Sequence, residues 1–361
     1  MKLIEFYYDD GSWKLENLHL KQLNLLVGRN STGKSRTVSL INLMFRFIAQ
    51  KSELKQGRIW KMKFINHSGQ TISYSFVADF MDTKILSESI EIDGEEVLSR
   101  EYDSDESTGK ASMKSVLTNQ FDEVFPPNNK LTLHVRRDTK NYPFLEDIAN
   151  WAEESYGFRF GNSDSFTDSN LIEYQPLVTI EHVPTYLSKL SDEERQNIIL
   201  SINTLGYAIE DINVNTNENS TSYFYIKEKG VGKLSQFKLS QGLLRALAII
   251  TYIEYLISKR NPATILIDDL CEGLDYERAI KLGKLIFEKC KNSNIQLIAT
   301  TNDNFIMDVV DIEHWNLLTR EGSTVTAMNY DTHRQLFDDF RFTGLSNFDF
   351  FSSDYLEQQK A

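Results

Sequence analysis

Two cysteines in 361 residues, Cys271 and Cys290, are too few for a disulfide framework or a structural zinc site, and the six histidines are scattered without metal-ligand spacing. The stretch Met1 to Leu18 lacks the apolar core of a signal peptide, and no run of the chain approaches the ~20 apolar residues of a membrane span. A cytoplasmic protein is expected. No internal repeat or low-complexity tract stands out. Basic residues are outnumbered, 39 against 52, for a net charge of −13, which argues against a surface built wholly to wrap nucleic acid but leaves a local basic groove open. What remains, 41% hydrophobic and 25% charged residues, is the balance of a soluble globular chain with a substantial core, long enough for one large or two modest domains.

The stretch around which the rest is organised is Gly28-Arg-Asn-Ser-Thr-Gly33-Lys34-Ser35, which fits G-x-x-x-x-G-K-S/T. It follows an apolar run, Leu23 to Val27, and precedes Val38, Ile41, Met44, Phe45 and Ile48 at helical spacing, so a strand hands over to a helix there. This is the pattern of a phosphate-binding P-loop. Glycines let backbone N–H groups curl inward, the helix start adds its positive dipole end, Lys34 reaches the β/γ-phosphates and the Ser35 hydroxyl coordinates Mg²⁺. Asn30, Ser31 and Arg36 complete the expected nucleotide-binding set around Gly28, Gly33, Lys34 and Ser35.

In chain order, Lys2 to Tyr8 and Trp13 to Val27 read as two strands joined by a turn at Asp9 to Gly11. Arg58 to Ile65, Thr71 to Asp79 and Ser89 to Ile92 alternate apolar and polar residues, as in an antiparallel β layer, and Tyr102 to Gly109 reads as a solvated acidic loop. Leu131 to Val135 reads as a short strand running into Arg136-Arg137, a pair whose role, paired or phosphate-facing on one side and merely solvated on the other, the sequence leaves open. Helices are expected over Pro143 to Tyr156 and Leu187 to Ile209, the second with a Ser191/Glu194 capping box, and a strand at Tyr223 to Lys227 after the polar run Asn213 to Ser222. The resulting division is an N-terminal part of the core over 1–139, an inserted, mostly helical lobe over 140–230, and a C-terminal part over 231–361. The last part ends in a hairpin around Glu321-Gly322, a helix, and an aromatic tail from Phe340 to Tyr355 that is expected to pack back on the core, the alternative being that it docks a partner.

Thr264 to Asp269 is an apolar run ending in two carboxylates, the pattern of a buried parallel strand with functional residues at its C-terminal edge. Asp268 is the candidate to hold Mg²⁺ opposite Ser35. Upstream, Leu239-Ser240-Gln241-Gly242 opens a long apolar helix whose first turn offers a hydroxyl and N–H groups to an anion.

Together the P-loop, this L-S-x-G segment and the run Asp268-Asp269-Leu-Cys-Glu-Gly-Leu274-Asp275 resemble the ABC-class ATPase head, where D-E-x-x-x-x-L-D joins Walker B to the D-loop. Leu-Ser-Gln-Gly with Arg245 three residues on is similar to the signature of the non-transporter branch, which includes OLD-like, RecF-like and SMC-head ATPases. The chain departs from that pattern twice. Asp269 stands where the family has its catalytic Glu, and Thr301, in Thr300-Thr301-Asn302-Asp303, stands at the switch histidine.

The resemblance implies an α/β P-loop NTPase of ABC type with an antiparallel β layer and an inserted helical lobe, binding ATP and Mg²⁺. Asp269 and Thr301 would be catalytic, Ser35 and Asp268 would hold the metal, and Ser240, Gly242 and Asp275 would complete the site across a head-to-head homodimer or higher oligomer joined through the ATP sites. It implies slow hydrolysis and regulation of a separate protein effector, with bacterial antiviral defence as the setting. The alternative is a RecF-like ATPase of genome maintenance that binds DNA, for which Lys51, Lys55, Arg58, Lys61 and Lys63 are the candidate basic groove or, equally, a solvated face. A transporter ATPase is a third class.

Overall fold

The computed structural model describes residues 1–50, 58–79, 84–102, 108–159, 182–216 and 222–352. In chain order the elements are β1 (Lys2–Asp9), β2 (Lys14–His19), β3 (Leu23–Val27), α1 (Lys34–Ile48), β4 (Ile59–Ile65), β5 (Thr71–Asp79), β6 (Lys84–Ile92), β7 (Glu95–Glu101), β8 (Lys110–Lys114), β9 (Phe121–Val124), α2 (Thr132–Val135), α3 (Pro143–Glu153) and β10 (Ser155–Arg159). There follow α4 (Val183–Leu187), α5 (Asp192–Thr204), β11 (Ile209–Thr216), β12 (Ser222–Glu228), β13 (Gly232–Ser235), α6 (Gln241–Lys259), β14 (Ala263–Asp268), α7 (Tyr276–Lys291), β15 (Ile295–Thr300), α8 (Asn304–Val309), β16 (Trp315–Glu321), β17 (Thr324–Asn329), α9 (Arg334–Phe342) and α10 (Asn347–Ser352). They fall into two units, one of Met1–Asn24, Gly28–Ser155 and Asn316–Arg334, the other of Leu25–Val27, Tyr156–Trp315 and Gln335–Ala361.

In the first unit the strand order is β16-β17-β2-β1-β4-β5-β6-β7-β8-β9. From β2 outward through β9 each pair is antiparallel, whereas β17 joins β2 in parallel. Alternating burial in β5, every second residue inside, gives the antiparallel layer one apolar face. That face holds Tyr8, Trp60 and Phe76, with the Tyr8 and Trp60 rings 4.6 Å apart. Helix α1 packs against α3, where Phe45 meets Trp151 edge-on.

The structure corrects two sequence expectations here. Trp13 to Val27 is not one strand: the Asn24 side chain accepts from the Lys21 N–H and donates to the Lys21 carbonyl, both at 2.8 Å, building a turn that separates β2 from β3. Leu131 to Val135 is not a strand, because the buried Glu88 carboxylate accepts from both the N–H and the hydroxyl of Thr132 at 2.8 Å, satisfying a helix-start donor and fixing α2 instead. The adjacent arginines are structural: Arg137 bridges Glu146 at 2.9 Å and Glu153 at 2.8 Å, and Arg136 lies over the Tyr142 ring.

His134 in α2 stands edge-on to Phe47 at 5.3 Å, and burial pushes its pKa down from 6.5 to about 4. A depressed histidine pKa favours the neutral ring in the fold. Its stabilisation is therefore present above pH ~6.5 and lost as pH falls toward ~4, a window that amounts to roughly 2–3 kcal/mol. Denaturant titrations at pH 7.5 and 4.5 should show that His134→Asn, which keeps an acceptor for the Leu131 N–H, loses less stability on acidification than the wild type by about that amount. Equal losses would remove His134 from the account.

In the second unit the strand order is β10-β14-β15-β3, with β14 and β15 parallel and buried along their whole length, as their mainly apolar sequences favour. Helix α6 packs on α4, α5 and α7. A separate antiparallel sheet, β11-β12-β13, takes in Asn213 to Thr216, where a polar run was expected. The range read as a mostly helical lobe thus contains α3, α4 and α5 together with β10, β11 and β12. The Ser191/Glu194 capping box is formed, the Glu194 carboxylate accepting from the Ser191 N–H at 2.7 Å. In the tail, Phe350 packs on Phe337 and Phe340 at 4.9 and 4.6 Å, while Phe342 stays exposed; Tyr355 lies outside the described residues. Among the described residues no helix is long and apolar enough to cross a membrane.

Candidate functional site

The P-loop is shaped by what its glycines cannot carry. A Cβ on Gly28 would meet the Thr32 hydroxyl at 2.6 Å and the Leu318 carbonyl at 2.7 Å, and Gly33 has a φ of +103° with the Trp13 ring 3.0 Å from where a Cβ would sit. Gly33 is also the N-cap of α1 and supplies no side-chain cap, so the first-turn N–H groups are offered at a helix start, the arrangement that attracts phosphate. Lys34 is buried and folds back over the loop, its ammonium donating to the Gly28 carbonyl at 2.6 Å and the Arg29 carbonyl at 3.3 Å. Asn30, Ser31 and Ser35 are exposed, and Arg320 on β16 braces the loop by donating to the Ser31 carbonyl at 3.2 Å.

Arg36 is held from the side. Its guanidinium lies 4.5 Å from the Trp13 ring and pairs with Asp10 at 2.9 Å. Burial works to raise the Asp10 pKa, but hydrogen bonds from Ser12 and from the Trp13 N–H prevail and hold it low, so the carboxylate stays charged for Arg36. The Asp9 to Gly11 turn therefore does more than reverse the chain, because it fixes the first helix's arginine.

In the second unit the paired carboxylates are organised by Thr300. Its hydroxyl donates to Asp268 Oδ1 at 2.7 Å and accepts from the Asp269 N–H at 2.8 Å, which orients the Asp268 carboxylate and pins the Asp269 backbone at the end of β14. Asp269 has a φ of +57°, a left-handed conformation that Asp and Asn tolerate better than longer residues. Its pKa is raised, first by burial, against a hydrogen bond from Asn302 at 3.4 Å, and further by the charges of Glu272 and Asp268. Thr301 is fully buried and its hydroxyl accepts from the Asp303 N–H at 3.0 Å; Asn302 is the residue that reaches Asp269.

Ser240 caps α6, accepting from the Leu243 N–H at 3.3 Å and leaving its hydroxyl proton to donate elsewhere. Gly242 is demanded by contact, since a Cβ would lie 2.8 Å from the Gly273 carbonyl and 2.9 Å from Leu274. Arg245 locks the same junction, donating to the Glu272 carbonyl and pairing with its carboxylate at 2.8 Å. Asp275 caps α7 through the Arg278 N–H at 3.1 Å and pairs with its guanidinium at 2.6 Å. The start of α6 and the turn from Glu272 to Asp275 thus form one corner. Thr300, Asn302, Glu272 and Trp13 were not singled out from sequence. Thr300 and Asn302 flank the switch position and could have been found from it, whereas Trp13 and Glu272 carry no local signal.

Among curated proteins, none matches the sequence. Three solved structures align with this chain at low identity, and the first of them shows the fold. The SmcHead bound to the C-winged helix domain of ScpA has a TM-score of 0.57 at 12% identity, over 92% of this chain and 99% of that one. The SMC head domain from Thermotoga maritima has a TM-score of 0.48 at 14% identity, over 91% and 99%. The Smc head domain with an extended coiled coil bound to the C-terminal domain of ScpA, derived from Pyrococcus furiosus, has 0.47 at 11%, over 94% and 99%. A family model described as "AAA domain, putative AbiEii toxin, Type IV TA system" matches residues 23–308, a span that contains Gly28 to Ser35, Ser240, Gly242, both carboxylates and Asp275. With most of its length inside that match and a fold like that of an SMC head, the chain belongs to the AAA_21 family of P-loop ATPase domains.

Proposed function

We propose that this protein binds ATP–Mg²⁺, pairs head to head with a second copy when ATP is present, hydrolyses the nucleotide slowly and thereby controls a separate protein effector. In this reading Gly28, Asn30, Ser31, Gly33, Lys34 and Arg36 line the phosphates, Ser35 and Asp268 hold Mg²⁺, and Asp269 orients water with Asn302 beside it. Ser240 and Gly242 meet the γ-phosphate on the second copy, and Asp275 borders that junction. The observation that carries the reading is the P-loop itself, with glycines that steric contact requires, an uncapped helix start and a lysine folded over them. Because each copy supplies half of each composite site, ATP binds the paired state more tightly than a single copy, and a switch follows. The family's description, which names a toxin of a type IV system, supports an effector-linked role in defence. The DNA-binding alternative is less favoured: Lys63 pairs with Glu5 at 3.4 Å and Lys61 lies over the Tyr7 ring, so these cations already have partners, and Lys51 and Lys55 fall outside the described residues.

Ser240→Arg tests the composite site. Exposed Ser240 tolerates a longer side chain in the isolated protomer, but a guanidinium there would occupy the place of the opposite γ-phosphate. Sedimentation with a slowly hydrolysed ATP analogue should show a dimer in the wild type and a monomer in the variant, with binding of the analogue retained. A variant that dimerises like the wild type would rule out the head-to-head arrangement.

A further inference from the structure

Three residues ahead of Ser240, Phe237 is 80% exposed, although the turn carrying it is well fixed. Gln236 is buried and its side-chain carbonyl accepts from the Phe224 N–H of β12 at 2.9 Å, the Leu239 N–H closes the one-turn helix Gln236–Lys238 on the Gln236 carbonyl at 3.4 Å, and Ser240 then caps α6. A rigid turn therefore presents a large apolar ring to water, the reverse of what burial favours. Lys238, Ser240 and Gln241 beside it are exposed as well. One short segment thus offers an aromatic face, an ammonium group and a hydroxyl together.

We infer that Phe237 is a base-stacking residue acting across the dimer: in the paired state its ring lies on the purine of the nucleotide held by the second copy's P-loop, while Ser240 of the same protomer meets the γ-phosphate. This inference rests on the composite-site reading above. Three extended residues span at most about 11 Å; the one-turn helix over Phe237 and Lys238 shortens that step, and the length of the exposed Phe237 side chain makes up the reach from Ser240 at the γ-phosphate to the base. A base presents a π-face that an aromatic ring fits without any further hydrogen bond, and the Lys238 charge suits the phosphates between. The triphosphate alone would then be an incomplete signal for pairing. The nucleoside is read too, by the partner rather than by the protomer that binds it.

The test is sedimentation with ATPγS and, separately, with magnesium tripolyphosphate, which has no base. Phe237→Ala and Phe237→Leu should each raise the ATPγS concentration needed for half-maximal pairing by about tenfold, the weight of one base–aromatic stack, and Phe237→Trp should restore it. Whatever pairing tripolyphosphate drives should be the same in all four proteins. Wild-type ATPγS dependence in Phe237→Ala would overturn the inference. So would an equal loss with both ligands, or rescue by Leu, either of which means that the ring packs on protein rather than on a base. A wild type that pairs with neither ligand would overturn the composite-site reading first, and this inference with it.

Discussion

Lys34→Ala is expected to abolish measurable ATP binding while leaving the fold intact. The ammonium is buried in the loop, within hydrogen-bond distance of the Gly28 and Arg29 carbonyls. It is therefore preorganised at the centre of the cradle, with little side-chain entropy left to lose when phosphate arrives. Charge-assisted hydrogen bonds to phosphate are worth about 1.5–3 kcal/mol each; losing two of them weakens binding on the order of 10²- to 10⁴-fold. The cost to folding is smaller, because alanine favours the first turn of α1 and, of the two carbonyls released, that of exposed Arg29 can turn to water, which leaves only that of buried Gly28 without its donor. Calorimetric titration with ATP, paired with a thermal melt, measures both quantities. Binding within threefold of the wild type would remove the P-loop from the nucleotide site, and a collapsed melt would mean that the lysine is a structural strut.

The parts of the site legible in the sequence are those whose chemistry is contiguous. Gly28, Gly33, Lys34 and Ser35 lie on eight successive residues and their spacing alone specifies a loop. The apolar runs of β14 and β15 announce strands buried on both faces, and Ser191 with Glu194 announces a helix start that forms as read. Features assembled from distant segments were not legible. The Arg36 clamp draws on Asp10, Trp13 and the first helix, and α2 exists because a glutamate from β6 supplies its missing acceptor. No local propensity encodes either. The same reason limits segmentation, since Leu25–Val27 groups with residues beyond Tyr156 while Asn316–Arg334 returns to the first unit. Spatial neighbours of that kind cannot be written as consecutive stretches of chain.

Asp269→Asn is expected to slow ATP hydrolysis by about 10²-fold or more, the range that removal of a general base produces, with ATP binding and pairing retained. The backbone argument makes this the clean substitution. Asp269 sits at a φ of +57°, where Asn is as well tolerated as Asp, and the Thr300 hydroxyl that receives the Asp269 N–H is untouched. Only the carboxylate charge is removed. The same conformation gives a physical reason for Asp at a position where the resembling ATPases carry Glu: a short side chain suits the left-handed turn, but its carboxylate reaches one methylene less far. Misplacement by about 1 Å can cost on the order of 10²-fold in rate, so the wild type itself is expected to turn over well below the roughly 10 s⁻¹ median of enzymes. Asn302, donating to Asp269 at 3.4 Å, then fixes the carboxylate's direction but does not lengthen its reach. Single-turnover measurement on wild type and Asp269→Asn gives both numbers. A wild-type rate of many turnovers per second, or an unchanged rate in the variant, would mean that another group orients the water and that the ATP-bound state is not the long-lived signal.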